Sequence, residues 1–139
     1  IARVMLMCLI HDIVEIEAGD TYAYDEENRS TQKEREDAAK ETIYSILPED
    51  QKKELVALFD ECEECQTSEA KFAHAMDHVQ PLMLNAATEG KSWIEHKVRL
   101  SQVLKRNEST GDGSEELWKY AYENFIRPNL EKGNLTKDI

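Results

Sequence analysis

The chain predicts an all-α fold, a helical bundle of five to six helices, and three observations carry that expectation. Apolar side chains recur at helical spacing in one segment after another, as at Leu55, Leu58, Phe59 and Cys62, which fall at i, i+3, i+4 and i+7. No run alternates apolar and polar residues over a length useful to a strand, and no internal repeat is visible. Glycine and proline stand between the periodic segments, at Gly19, Pro48, Gly90 and Gly133, where helices stop.

Taken in order, residues 1–17 read as a buried helix, because residues 1–10 are almost continuously apolar and Gly19-Asp20 closes the segment as a C-terminal glycine does. Residues 20–29 form a polar loop. Thr31-Gln-Lys-Glu34 has capping-box spacing, and Ala39, Ile43, Ile46 and Leu47 follow with helical period until Pro48. Residues 49–64 make a third, amphipathic helix. Thr67 or Ser68 can cap a fourth, in which Phe72, Met76, Val79, Met83 and Ala86 build a wide apolar face running to Gly90, with a kink at Pro81. A shorter helix over residues 100–106 precedes a glycine-containing loop at 109–113. Ser114 caps a last helix carrying Leu117, Ala121, Phe125 and Leu130, bent or broken around Pro128. The expected architecture packs these helices around the first and the fourth, in a single domain spanning residues 1–139.

A length of 139 residues suits one domain with a real core. The net charge of −12 argues against nonspecific binding of polymeric nucleic acid, while a small phosphorylated substrate remains compatible with it. Three cysteines, Cys8, Cys62 and Cys65, are an odd number and no secreted disulfide framework, which favours a reducing, cytoplasmic setting. The opening apolar run is too short, and too polar at its end, to span a membrane, and no small-residue cleavage site follows it. The chain starts at Ile1 inside an apparent helix with no start methionine, so this reading expects an N-terminal part that is absent here.

Chemistry concentrates at His11-Asp12, at the end of the apolar run. An imidazole and a carboxylate placed there need a partner, and a divalent cation is an economical one, since neutral imidazole and carboxylate both ligate borderline metals. The plainer alternative is that both groups cap and hydrogen-bond at the helix end. A third ligand has to come from another helix, and Asp77, the one acidic residue in the mostly apolar stretch 72–87, is the best candidate. Its alternative is a solvated carboxylate paired with Lys71, His74 or His78. Glu15, at i+4 from His11 and i+3 from Asp12, shares their helix face.

Together these residues resemble the HD-domain metal-dependent phosphohydrolase superfamily. HDxxE followed by Gly-Asp, here His11, Asp12, Glu15, Gly19 and Asp20, and the run Lys71-Phe-Ala-His-Ala-Met-Asp77 are similar to its 5′-deoxynucleotidase-like branch. Gln80-Pro-Leu-Met-Leu-Asn85, Lys91-Ser-Trp93, Glu95-His96 and Gln102-Val-Leu-Lys-Arg-Asn107 look like the bacterial hydrolases of that group, so the likeness covers nearly the whole chain. The resemblance implies His11, Asp12 and Asp77 as metal ligands. It also implies a further His and phosphate-binding residues upstream of residue 1, on a first ligand helix. Glu15 is implied as the proton-transfer group, and Asp20 as a carboxylate behind the ligands or on the substrate side. Binuclear members need more His ligands between the His-Asp pair and the final Asp, and only His74 lies in that interval. One divalent transition metal is therefore expected, Mn, Co, Fe or Zn. The implied activity is a phosphomonoesterase releasing phosphate from (deoxy)nucleoside 5′-monophosphates. The alternative is an inactive HD domain serving as a dimeric scaffold or a nucleotide or metal sensor. A homodimer is implied by the family.

Weaker signals have plainer readings. Cys62-Glu-Glu-Cys65 has the spacing of half a zinc site, yet no second pair exists and Cys62 falls on an apolar stripe. His78 reads as a helix-surface residue or a phosphate contact, and His96 as a tether for a loop. Lys97, Arg99, Lys105 and Arg106 form a small basic cluster whose default is a solvated helix face. Trp93, Trp118, Tyr120, Tyr122 and Phe125 read as core or interface aromatics.

Overall fold

The computed structural model describes residues 1–25, 28 and 30–138. All regular structure among them is helical apart from one isolated bridge between Arg99 and Thr136, so the all-α expectation holds. The chain divides into two compact units, Ile1–Ala70 and Lys71–Ile139. No helix among the described residues is long and apolar enough to cross a membrane.

In the first unit, α1 (Ala2–His11) runs into a 3₁₀ turn (Asp12–Val14) and then α2 (Glu15–Ala18), which Gly19 ends at φ 76°. This arm is amphipathic rather than buried all round. Met7, Ile10, Val14 and Ala18 face the core, while Ile1, Met5, Leu9 and Ile16 lie on the exposed side. A continuous apolar run carries no periodicity to say which side packs. The polar loop expected at residues 20–29 falls partly on residues 26, 27 and 29, which lie outside the described residues.

Helix α3 (Gln32–Tyr44) packs against α2, and α4 (Glu49–Glu64) packs against α1 and α3. The capping box expected at Thr31 does not form, because the Thr31 hydroxyl donates to the Asn28 carbonyl at 3.4 Å instead of receiving a helix N–H. Nor does Ile46 join the core, being 84% exposed beyond the helix end. Tyr44 takes that place at 2%. Its phenol donates to the Ile10 carbonyl at 2.9 Å, fixing the end of α1 to α3. On α4 the predicted stripe is realised in Leu58, Phe59 and Cys62. Cys65 ends this helix in the left-handed conformation.

Helix α5 (Ser68–Ala87) starts from the Thr67 hydroxyl, which accepts from the Ala70 N–H at 3.2 Å, and leads into the second unit. Its buried side differs in part from the expected one: Val79 is buried as expected, together with Ala73, Ala75 and Leu82, whereas Phe72, Met76 and Met83 are 38%, 42% and 51% exposed. The helix runs through Pro81, which has no N–H to give the Asp77 carbonyl one turn earlier.

Beyond Gly90 follow α6 (Lys91–Glu95), which the sequence did not announce, and α7 (Leu100–Arg106), which it did. The expected loop at 109–113 holds a single helical turn, α8 (Thr110–Gly113). A Cβ at Gly113 would collide with the Lys71 carbonyl and with Ala75, so glycine and the small side of α5 meet there. Ser114 accepts from the Leu117 N–H at 3.1 Å and caps α9 (Glu115–Ala121) as expected. A π-helical turn (Tyr122–Ile126) then absorbs the irregularity ahead of Pro128, and α10 (Arg127–Glu131) continues the chain. Trp93, Val98, Val103, Ala121, Ile126 and Leu135 complete this unit's core.

Candidate functional site

His11 is the last residue of α1 and Asp12 the first of the 3₁₀ turn, so both stand where the helix ends. Only one side of this arm faces the core, so His11 is half-buried and Asp12 exposed, their side chains 24% and 65% exposed. The His11 ring stacks on Phe59, with centroids 6.0 Å apart and planes 18° from parallel. Phe59 is itself 1% exposed, so the ring rests on a fixed surface. His11 Nδ1 lies 3.1 Å from Asp12 Oδ1, and Nε2 lies 2.8 Å from Glu63 Oε1 on α4.

Glu15 opens α2 and is half-buried. Burial first, then repulsion from Asp12 and Asp20, push its carboxyl up to about 7; Glu36 adds to this and His11 opposes it. Glu36 is 8% exposed and accepts from Gln32 Nε2 at 2.7 Å. A carboxyl with this value changes protonation near neutral pH, as an acid or base in catalysis must.

Asp20 follows the turn at Gly19, and the Arg35 guanidinium holds that turn from α3. It donates to the Ala18 carbonyl, to Thr21 Oγ1 at 2.7 Å and to the Asn28 carbonyl at 3.4 Å. Asp20, Thr21, Tyr22, Asp25, Asn28 and Arg35 line a polar cleft of about 220 Å³. Thus His11, Asp12, Glu15 and Asp20 all lie on one arm of the first unit. Asp77 lies on the exposed side of α5, in the second unit. Among the described residues, no three His, Cys, Asp or Glu side chains are gathered so as to hold a metal ion.

Sequence reasoning missed Glu63, Arg35 and Glu36. Glu36 left a readable signal, an acid three residues before Ala39 on the apolar stripe of its helix. Glu63 and Arg35 left none, because their partners lie 52 and 17 residues away. Among the weaker signals, Cys62 is core, His96 Nδ1 donates to the Ser92 carbonyl at 3.0 Å, and the His74 and His78 rings meet edge to face at 6.0 Å.

The sequence profile of the HD domain matches residues 1–118. The chain belongs to the HD-domain family. Within that family it is 35% identical over 95 residues to the human 5′-deoxynucleotidase HDDC2, an alignment covering 68% of this chain and 45% of the human one. It is 33% identical over 81 residues to the bovine protein of the same name, covering 58% and 40%. This HD domain therefore spans less than half the length of the curated relatives it matches. Among solved structures, a predicted metal-dependent phosphohydrolase from Magnetospirillum magnetotacticum MS-1 superposes with a TM-score of 0.90 at 41% identity. The match covers 97% of this chain and 67% of that one.

Proposed function

We propose that this HD domain is a metal-dependent phosphohydrolase acting on nucleotides, and specifically a phosphomonoesterase that frees phosphate from (deoxy)nucleoside 5′-monophosphates. The observation that carries the reading is the placement of His11 Nδ1 and Asp12 Oδ1 side by side at 3.1 Å, ahead of a carboxyl poised near neutrality. Relatives named 5′-deoxynucleotidase and metal-dependent phosphohydrolase support it.

The donor types suit a divalent transition metal, since one imidazole nitrogen and carboxylate oxygens are what Mn²⁺, Co²⁺, Fe²⁺ and Zn²⁺ accept, while among the described residues no three of them are gathered round one point. His11 and Asp12 would hold the ion, with Asp77 as the third ligand from this chain. When bound, such an ion supplies Lewis acidity toward a phosphoryl oxygen and acidifies water. Glu15 takes the proton from the attacking water or returns one to the 5′-oxygen as it leaves as the nucleoside hydroxyl. Asp20, on the rim of the polar cleft, orients the substrate or the groups behind Glu15. The net charge of −12 disfavours long polyanions, in keeping with a small substrate. A single domain, a homodimer and a cytoplasmic location complete the proposal.

Phosphate release from a panel of deoxynucleoside monophosphates by the full-length protein, with Mn²⁺ or Co²⁺, tests the reading. Glu15→Ala should keep metal affinity and lose turnover by about 10²-fold or more, the usual weight of a proton-transfer group. Wild-type rates in Glu15→Ala would remove its role. Tight nucleotide binding with no phosphate released by the wild type at any metal would replace the enzyme with a sensor or scaffold.

A further inference from the structure

Arg35 reaches from the first turn of α3 to both flanks of Asp20 and, among the described residues, makes no ion pair with the Asp20 carboxylate itself. One terminal nitrogen, Nη1, donates to the Ala18 carbonyl, two residues before Asp20. The other, Nη2, donates to Thr21 Oγ1, one residue after it, at 2.7 Å and to the Asn28 carbonyl at 3.4 Å. We propose that Arg35 is the positioning residue of the polar cleft, fixing the backbone on either side of Asp20 so that this carboxylate receives an O–H or N–H donor of the substrate. This role deepens the phosphohydrolase reading and rests on it, since Asp20 is the cleft residue given there to the substrate.

The need for such a grip lies in the turn. Helix α2 is a single turn long, and its last carbonyl, at Ala18, finds no N–H within the helix. Gly19, at φ 76°, lets the chain leave sharply, but a glycine permits a turn without fixing it. The guanidinium supplies what is missing. Its planar fork holds five N–H donors in set directions, and here it serves acceptors on residues 18, 21 and 28 at once. A lysine ammonium at the end of a flexible stem has no such fork. Arg35 is itself half-buried, on a helix that packs against α2.

The same geometry leaves Asp20 for a ligand. Asp25, the other carboxylate of the cleft, accepts from the Asn28 backbone N–H at 3.1 Å and from the Asn28 side-chain amide at 2.7 Å. Asp20 is exposed, and among the described residues its carboxylate accepts no hydrogen bond. Carboxylate oxygens accept, so what Asp20 takes from a nucleotide is the hydrogen of a hydroxyl or an amino group. Thr21 Oγ1, which accepts from Arg35, keeps its own hydrogen to give beside it. Asp20, Thr21 and Arg35 line one cleft of about 220 Å³.

Phosphate release from 2′-deoxyadenosine 5′-monophosphate by the full-length protein with Mn²⁺, for Arg35→Lys, Asp20→Ala and the two combined, tests the assignment. Arg35→Lys keeps the charge and loses the fork. It should raise KM about 10-fold and leave kcat within about threefold of wild type, because ligand placement is disturbed and proton transfer is not. Asp20→Ala should raise KM by a similar factor, and the double variant no further than Asp20→Ala alone, since Arg35 acts through Asp20. Thr21→Val removes one acceptor and no charge, and carries the same comparison should Arg35→Lys not fold. An unchanged KM in Arg35→Lys, or in Thr21→Val taken in its place, would overturn the role. So would effects that multiply in the double variant, which put Arg35 on the ligand itself or in the fold alone. A wild type that binds the nucleotide in calorimetry and releases no phosphate removes the phosphohydrolase reading, and the same comparison in Kd then decides Arg35. A wild type that neither binds nor releases removes both.

Discussion

Glu15 is where charge and burial meet most directly. Its carboxyl, raised from 4.5 to about 7, binds a proton in the folded state over a range where the unfolded chain has released it. The folded state therefore holds more protons between those values, and its stability falls as pH rises through that window. Below it both states are protonated and nothing is lost. Glu15→Gln removes the cost, so melting followed in a chelator should show a higher Tm than wild type at pH 8 and an equal one at pH 4. Equal melting at pH 8 would mean that the carboxyl is not perturbed. A cation at His11 and Asp12 adds positive charge nearby and should draw the Glu15 value down again. Of the candidate residues named from the sequence, Asp77 lies in the second unit, whereas His11, Asp12, Glu15 and Asp20 stand on one arm because they are close together in the chain. Their supports, Glu63 and Arg35, arrive from other helices, and no local pattern reports a contact made across 52 residues.

At the level of elements, most caps and breakers were legible, and buried faces only in part: the stripe of α4 was, and the capping box at Thr31 did not form. Ser114 and Thr67 do what their residue types suggest, because a hydroxyl before a helix answers a need of the backbone alone. Ser114→Ala should cost about 1 kcal/mol in denaturant unfolding, and a change within error would make that cap dispensable. The face of α5 went the other way. Reading by bulk favours Phe72, Met76 and Met83, but the helix turns Ala73 and Ala75 inward, and α8 approaches so closely at Gly113 that a methyl group has no room. Close approach of backbone to backbone selects small residues, which a hydrophobicity ranking undervalues. Gly113→Ala should therefore destabilise by about 1–3 kcal/mol, as overpacking does. A neutral result by thermal melting would show that α8 can shift away from Lys71 at little cost. The opening arm gives the same lesson: ten apolar residues in a row signal a helix but not which of its sides is covered.

For the whole molecule, composition excluded classes and motifs chose among those left. An acidic chain without strand patterns became an all-α HD domain on the strength of a few polar residues set among apolar ones. The assignment of His11 and Asp12 to the divalent metal of a phosphohydrolase is a proposal about metal-dependent turnover. It is met most directly by the rate of phosphate release from a deoxynucleoside monophosphate as Mn²⁺ is titrated into chelator-treated full-length protein, wild type beside Asp12→Ala. A saturable, metal-dependent rate is expected for the wild type and none for Asp12→Ala across the range that saturates the wild type. An Asp12→Ala curve lying on that of the wild type, or a wild-type rate indifferent to Mn²⁺, would contradict it.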